Sequence, residues 1–212
     1  LREEISAVLE VAEASDEVFV LLESGGGTVH GYGLGASQLL RVRDRGIKLT
    51  VAVDKIAASG GYMMACVANE IIAAPFAIVG SIGVIAQLPN FHRLLKKHDI
   101  DYEQIAAGEH KRTLTLFGEN TDQDRDKLRE EIEDAHELFK TFVAEHRTGV
   151  DLTAIATGEH WYGQRALALN LLDRLQTSDD FLVEAARDAS LLEINYIRHK
   201  PLIEKWFSTA AA

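Results

Sequence analysis

The chain has 212 residues, of which 47% are hydrophobic and 26% are charged, so it is long enough to bury the core of one globular domain. Its 33 acidic and 22 basic residues give a net charge of −11, and the absence of a long Lys/Arg stripe argues against binding to nucleic acid. The single cysteine, Cys66, cannot form an internal disulfide, and its apolar helical surroundings predict a packing role.

The patterns of apolar residues predict alternating helices and strands. Helices are predicted at 1–15, 29–45, 59–68, 90–98, 122–146 and 151–157, and strands at 18–22, 49–53, 70–74, 77–86 and 101–107. This alternation predicts an α/β fold of βαβ units with a mostly parallel sheet, in a single domain that covers 1–212. The long helix 122–146 carries one apolar stripe, and Asn170 is expected to end a helix in the left-handed conformation. The amphipathic tail, about 195–212, is expected to cover the core or a neighbouring subunit.

The stretch 71–91 contains no charged residue and is long enough to be mistaken for a membrane span. Prolines and glycines interrupt it, and its β-branched runs favour buried strands, so we expect no span there. The chain begins at Leu1 rather than Met and shows no signal peptide. This start is compatible with a fragment, and it leaves open whether an N-terminal anchor precedes it.

The stretch 54–65, DKIAASGGYMMA, places Ser59 where a strand gives way to a helix. Such a corner presents a hydroxyl beside free backbone N–H groups, as an acyl-transfer enzyme requires for its nucleophile and oxyanion. From this stretch alone, a serine that caps the helix explains the pattern as well. The three glycines 25–27 follow a strand, and they indicate either an oxyanion loop or a plain turn. Gly31 and Gly33 lie too far beyond that strand for a dinucleotide-binding motif.

A nucleophilic serine needs a base. No histidine lies between residues 60 and 91, and the eight histidines show no metal-binding spacing, so we expect no metal; His92 and His110 remain candidate bases. A lysine serves only if burial lowers its pKa from about 10.4 to about 7–8. Lys111 follows the predicted buried strand 101–107, a position at which its side chain can be removed from water. Lys55 lies on the turn before Ser59, where a side chain is more easily exposed.

Five segments in order resemble the signal peptide peptidase A family of serine peptidases, over nearly the whole chain. They are ESGGGTV (23–29), VDKIAASGGYMMA (53–65), IVGSIGV (78–84), AAGEHKRTLT (106–115) and GEHWYGQRALALNLLD (158–173). The resemblance implies a ClpP/crotonase-like α/β spiral and a Ser/Lys peptidase that uses no cofactor. It implies that Ser59 is the nucleophile, Lys111 the general base and Ser81 the hydroxyl that binds the lysine.

The resemblance also implies an oxyanion site made by the N–H groups of Gly60 and of Gly26 or Gly27. The family usually has Asn-Ser-Pro-Gly-Gly where this chain has residues 23–27, so Gly25 replaces a proline and leaves open which glycine serves. Members of the family form rings, which implies a homo-oligomer of four or more chains, with Ser and Lys of one site from neighbouring subunits. Peptide substrates, an N-terminal membrane anchor, the bacterial inner membrane and a periplasmic catalytic domain are implied in the same way.

Two other functions fit parts of the same pattern. A crotonase-type acyl-CoA enzyme shares the fold and the oxyanion site, and a fold alone does not decide the reaction. A non-catalytic assembly subunit would explain the apolar stripe of 122–146 and the amphipathic tail. The joint presence of Ser59, Ser81 and Lys111 favours the peptidase.

Overall fold

The computed structural model describes residues 1–108 and 111–195, and it has the α/β fold with a mostly parallel sheet that the sequence predicts. The helices are α1 (Arg2–Val11), α2 (Val29–Asp44), α3 (Gly60–Ala65), α4 (His92–Lys97), α5 (Asp122–His146), α6 (Leu152–Ile155), α7 (Gly163–Ala168) and α8 (Ser178–Ala185). The strands are β1 (Glu17–Leu21), β2 (Lys48–Val53), β3 (Ile56–Ala58), β4 (Glu70–Ala73), β5 (Ile78–Gly80), β6 (His160–Tyr162) and β7 (Arg174–Leu175).

The larger sheet has the strand order β1-β2-β4-β7, and each neighbouring pair is parallel. Strand β2 lies inside this sheet, and every residue from Leu49 to Val53 is buried. A parallel strand that is covered on both faces needs apolar side chains on both, which is why this segment shows a continuous run rather than an alternating pattern. The core therefore follows β2 and β4, and the helices cover them.

The smaller sheet carries the serine corner. Strand β3 pairs with β5 in parallel, and β5 pairs with β6 in the antiparallel direction. Ala58 and Gly80 lie opposite each other at the ends of β3 and β5. The next residue of each strand is a serine, Ser59 or Ser81, and neighbouring strands lie about 4.8 Å apart. The two serines therefore leave the sheet side by side.

Helix α5 occupies the range predicted from its apolar stripe. Thr121 and Asp124 cap its first turn, because the Thr121 Oγ accepts from the Asp124 N–H at 3.2 Å and the Asp124 carboxylate accepts from the Thr121 N–H at 2.8 Å. Phe139 and Val143 are buried against the rest of the domain. The charged first turns of this helix are exposed, so only its second half is anchored in the core.

The predicted strand 101–107 is wrong. None of its residues lies in a strand, and Ile105 is 97% exposed. The predicted strand 77–86 is shortened to β5, because the chain leaves the sheet at Ser81 with a φ of 52°. Segment 84–91 has no regular secondary structure. A short apolar run becomes a strand only where a sheet edge supplies backbone partners, and the sequence pattern does not show that.

Three further expectations concern a helix end, a membrane span and the C-terminal tail. Asn170 has a φ of 58° directly after α7, which confirms the left-handed helix end. Within the described ranges, no helix combines the length and the apolar character needed to cross a membrane. The tail from residue 196 onward lies outside the described residues, as does His110.

Candidate active site

Ser59 is held in a strained backbone conformation between β3 and α3. Its φ is 54° and its ψ is −121°, a combination that costs a non-glycine residue about 1–3 kcal/mol. The backbone is fixed on both sides, since the Ser59 N–H donates to the Gly80 carbonyl at 2.7 Å and the Ser59 carbonyl accepts from the Met63 N–H at 3.0 Å. The Ser59 hydroxyl makes no capping hydrogen bond, so the helix-cap interpretation does not apply. Strained serines at strand-to-helix turns expose their Oγ for nucleophilic attack.

The glycine loop packs directly on this corner. Gly26 has a φ of 92°, and a Cβ placed on it would lie 2.7 Å from the Ser59 Cβ and 2.8 Å from the Gly60 nitrogen. Only glycine fits that approach. The Gly26 N–H donates to the Ser24 Oγ at 3.2 Å, whereas the Gly27 N–H has no acceptor among the described residues. Of the two loop glycines that the resemblance offers, Gly26 and Gly27, the second therefore has its N–H left for an oxyanion.

Ser81 occupies the equivalent place on the neighbouring strand. Its φ of 52° resembles that of Ser59, and its N–H donates to the Glu159 carbonyl at 2.7 Å. Its Oγ donates to the Gly158 carbonyl over a longer distance, 3.3 Å. A hydroxyl retained by one long bond is free to turn toward another partner at small cost. Ser81 thus fits the role of a hydroxyl that receives a basic side chain.

One cavity of about 550 Å³ unites these parts. Its lining residues are Gly25, Gly26, Gly27, Ser59, Ser81, Gly83, Val84, Ile85, His136, Thr157 and Gly158. The predicted residues Ser59, Ser81, Gly26 and Gly27 are thus brought together, and Gly60 is buried directly behind Ser59. Another cavity, of about 420 Å³, lies beside β7 and α8 and contains none of them. Over residues 1–108 and 111–195, no cluster of three His, Cys, Asp or Glu side chains is arranged to hold a metal ion.

Among the described residues, none of the bases considered from the sequence lines the cavity, although one other titratable side chain does. Lys111 is exposed and does not line it, because the strand expected to bury this lysine is absent. Lys55 donates to Glu23 at 2.9 Å and is 72% exposed, and this hydrogen bond raises the pKa of Lys55, so it stays protonated and unsuited to act as a base. His92 begins α4 and does not line the cavity either.

The titratable side chain that lines the cavity is His136, which the sequence analysis did not select. It lies on α5, is half-buried, and its Nε2 lies 3.3 Å from the Ile82 carbonyl oxygen. His136 follows Ile132 by four residues and precedes Phe139 by three, so it shares the apolar stripe of the helix. A histidine within a buried stripe was the signal for its place in the cavity wall.

Two sequence profiles of known families match the chain. Residues 41–192 match the sequence profile of peptidase family S49, and residues 1–39 match that of the S49 N-terminal region. The chain is 58% identical over 206 residues to "Probable protease SohB" of Haemophilus influenzae. The aligned region covers 97% of this chain and 58% of that protein. It is 55% identical over 206 residues to the protein of the same name from Buchnera aphidicola, and this aligned region covers 97% of this chain and 61% of that protein.

The chain therefore spans about three fifths of the length of these relatives. The S49 profile includes the positions of Ser59, Ser81 and Lys111, and the parallel sheet agrees with the ClpP-like fold of that family. The chain belongs to peptidase family S49.

Proposed function

We propose that the chain is the catalytic domain of a serine endopeptidase that works through an acyl-enzyme, with Ser59 as nucleophile and Lys111 as general base. The observation that carries the proposal is the strained Ser59, whose hydroxyl lines a cavity beside a glycine loop with a free N–H. Neutral Lys111 takes the proton of the Ser59 hydroxyl as the Oγ attacks the peptide carbonyl. The Gly27 and Gly60 N–H groups stabilise the oxyanion. Lys111 then protonates the leaving amine, and water hydrolyses the ester.

The base reaches Ser59 from a neighbouring subunit in this proposal. Lys111 lies outside the cavity of its own chain, and it belongs to segment 84–118, which exposes many large apolar side chains. They include Ile85 at 80% exposure, Leu88, Phe91, Leu94, Ile100, Ile105, Leu116 and Phe117. An apolar surface of this extent is typical of a protein interface. A ring of four or more chains would bury this surface, and Lys111 with it.

The substrate and the location follow from the same proposal. Val84 and Ile85 give the cavity an apolar wall, which suits the apolar side chains of membrane-derived or signal-peptide-like segments. We place the domain at the bacterial inner membrane, on the periplasmic side, held by an N-terminal anchor in the longer protein.

Hydrolysis of casein and a panel of fluorogenic peptides by four proteins tests this function: wild type, Ser59→Ala, Lys111→Ala and His136→Gln, each checked for folding by circular dichroism. We expect the first two substitutions to abolish turnover and His136→Gln to retain most of it. Loss of activity in His136→Gln together with full activity in Lys111→Ala would transfer the base to His136. An active Ser59→Ala variant would contradict the nucleophile.

A further inference from the structure

Tyr32, on the first turns of α2, lies between the glycine loop and the Ser59 corner. A Cβ placed on Gly60 would lie 2.4 Å from the Tyr32 Cγ, and one placed on Gly27 would lie 2.7 Å from the Tyr32 Cε2. Neither distance leaves room for a methyl group, so the ring is in direct contact with both backbones. One rigid ring therefore sets the spacing between the two glycines whose N–H groups are left for the oxyanion.

The Tyr32 hydroxyl is connected to the same loop through Ser24. The Tyr32 OH and the Ser24 Oγ are 2.7 Å apart, and that Oγ also accepts from the Gly26 N–H at 3.2 Å. The Ser24 backbone is paired with β3 on both sides, because its N–H donates to the Ile56 carbonyl at 2.8 Å and its carbonyl accepts from the Ala58 N–H at 3.0 Å. Ser24 is therefore a fixed point from which a hydroxyl holds the loop.

We propose that Tyr32 is a positioning residue for the oxyanion site, an inference that rests on the proposed peptidase function. Its ring separates Gly27 from Gly60, and its hydroxyl orients Ser24, which occupies the Gly26 N–H. The Gly27 N–H is thereby kept free and in place. Tyr32 itself touches no reacting atom, so it acts through these backbone groups.

A role in oxyanion stabilisation predicts an effect on kcat rather than on KM. The negative charge on the oxygen exists only in the transition state, and an interaction made only there changes the rate of the chemical step. Complete loss of one oxyanion donor costs about 10²–10³ in rate, and a loosened donor costs less.

Four variants test the kinetic part: Tyr32→Phe, which keeps the ring and removes the hydroxyl, Ser24→Ala, the double variant, and Ser37→Ala as control. Ser37 lies on the same helix, and within the described part of the chain its hydroxyl bonds only to the Gly33 carbonyl, at 2.9 Å. We expect each of the first two to lower kcat by about three- to tenfold with KM within about twofold. Because the hydroxyls act in series, the double variant should be no slower than Ser24→Ala. Ser37→Ala should match wild type.

Amide hydrogen exchange over residues 22–31 tests the positioning without relying on catalysis. We expect several-fold faster exchange of this segment in Tyr32→Phe and Ser24→Ala than in wild type and Ser37→Ala. Unchanged exchange overturns the inference whether or not the protein hydrolyses peptides. If wild type hydrolyses peptides and Tyr32→Phe keeps the wild-type kcat, the inference is overturned while the peptidase function stands. A wild type without turnover overturns the peptidase function and, with it, the catalytic role of Tyr32.

Discussion

Ser59 holds a backbone conformation that few non-glycine residues adopt, and the contacts around it explain why the conformation persists. Its φ of 54° is fixed by a hydrogen bond to β5 and by the close approach of Gly26. Strain of about 1–3 kcal/mol survives only where the surroundings leave no alternative. The glycine loop is one of those surroundings, so it supports the Ser59 backbone and also places a free N–H beside it.

Replacement of Gly26 should therefore disturb both stability and activity. A methyl group in Gly26→Ala would combine an unfavourable φ with overlap onto Ser59 and Gly60, and we expect the free energy of unfolding to fall by about 2–4 kcal/mol and turnover to be lost. Gly46→Ala is the matched control, because Gly46 also has a positive φ, 75°, but nothing lies within 4 Å of its added Cβ. It should cost about 1 kcal/mol and leave turnover intact. Urea unfolding measures the free energy of unfolding of both variants. Equal losses of stability in the two would contradict the steric overlap assigned to Gly26→Ala.

The buried thiol of Cys66 predicts a pH dependence of stability. Burial raises the pKa of Cys66 from 9.0 to about 12. Above pH 9 the unfolded chain releases this proton while the folded chain keeps it, so the free energy of unfolding falls as the pH rises toward 12, by about 1.4 kcal/mol per pH unit. Cys66→Ala lacks this group, so its free energy of unfolding should decline less steeply between pH 9.5 and 11, by about that slope. Denaturant titrations at several pH values check it; parallel curves for the two proteins would refute it.

Among the elements, the end of α5 is tied to the sheet by one buried cation. Arg147 makes two hydrogen bonds of 3.0 Å to the carboxylate of Asp173 and a third, of 2.8 Å, to the Asn170 carbonyl. The same carboxylate accepts from the Ile71 N–H of β4 at 2.7 Å. One guanidinium thus joins the long helix to the strand edge near α7. The helix also brings His136 to the cavity, so this connection bears on the site.

Loss of Arg147, which directly follows α5, should destabilise the fold far more than loss of an arginine on the outer face of that helix. Its side chain is 8% exposed and that of Asp173 is 39% exposed, so Arg147→Met should lower the free energy of unfolding by about 2–3 kcal/mol, less than for a pair buried on both sides. Arg129 pairs with Asp126 on the outer face, with both side chains more than 60% exposed. Arg129→Met should change stability by less than about 0.5 kcal/mol. Thermal or urea unfolding distinguishes the two variants, and similar losses of stability in both would contradict the burial assigned to Arg147.

Elements that depend on local signals were predictable from the sequence, and those that depend on distant partners were not. The caps and the apolar stripe of α5 lie within the helix itself, and the Ser59 corner is a contiguous motif. The segment 101–107 needed a sheet edge that the described chain does not provide. His136 entered the cavity only through the packing of α5, and Lys111 lies where no local pattern could place it relative to Ser59. Contacts between residues far apart in sequence were thus the missing information.

At the scale of the whole molecule, the exposed position of Lys111 and the apolar surface around it make a single prediction about assembly. If Lys111 serves the Ser59 of a neighbour, each complete site lies between two chains. Light scattering should then show four or more chains. Ile105→Glu, at a residue that is 97% exposed, should dissociate them and abolish turnover, whereas Val11→Glu on α1, at a residue that is 77% exposed, should do neither.

The decisive form of this prediction mixes two inactive proteins. Ser59→Ala keeps Lys111, and Lys111→Ala keeps Ser59, so a ring that contains both has an intact site wherever the two meet in the correct order. After the subunits are dissociated and reassembled at equal ratio, random mixing should restore about a quarter of the wild-type rate per chain. Restoration requires exchange, so rings mixed without dissociation are the control and should stay inactive. If the base and the nucleophile belonged to the same chain, no mixture would regain activity, and the lysine would have to reach Ser59 by a rearrangement within one subunit.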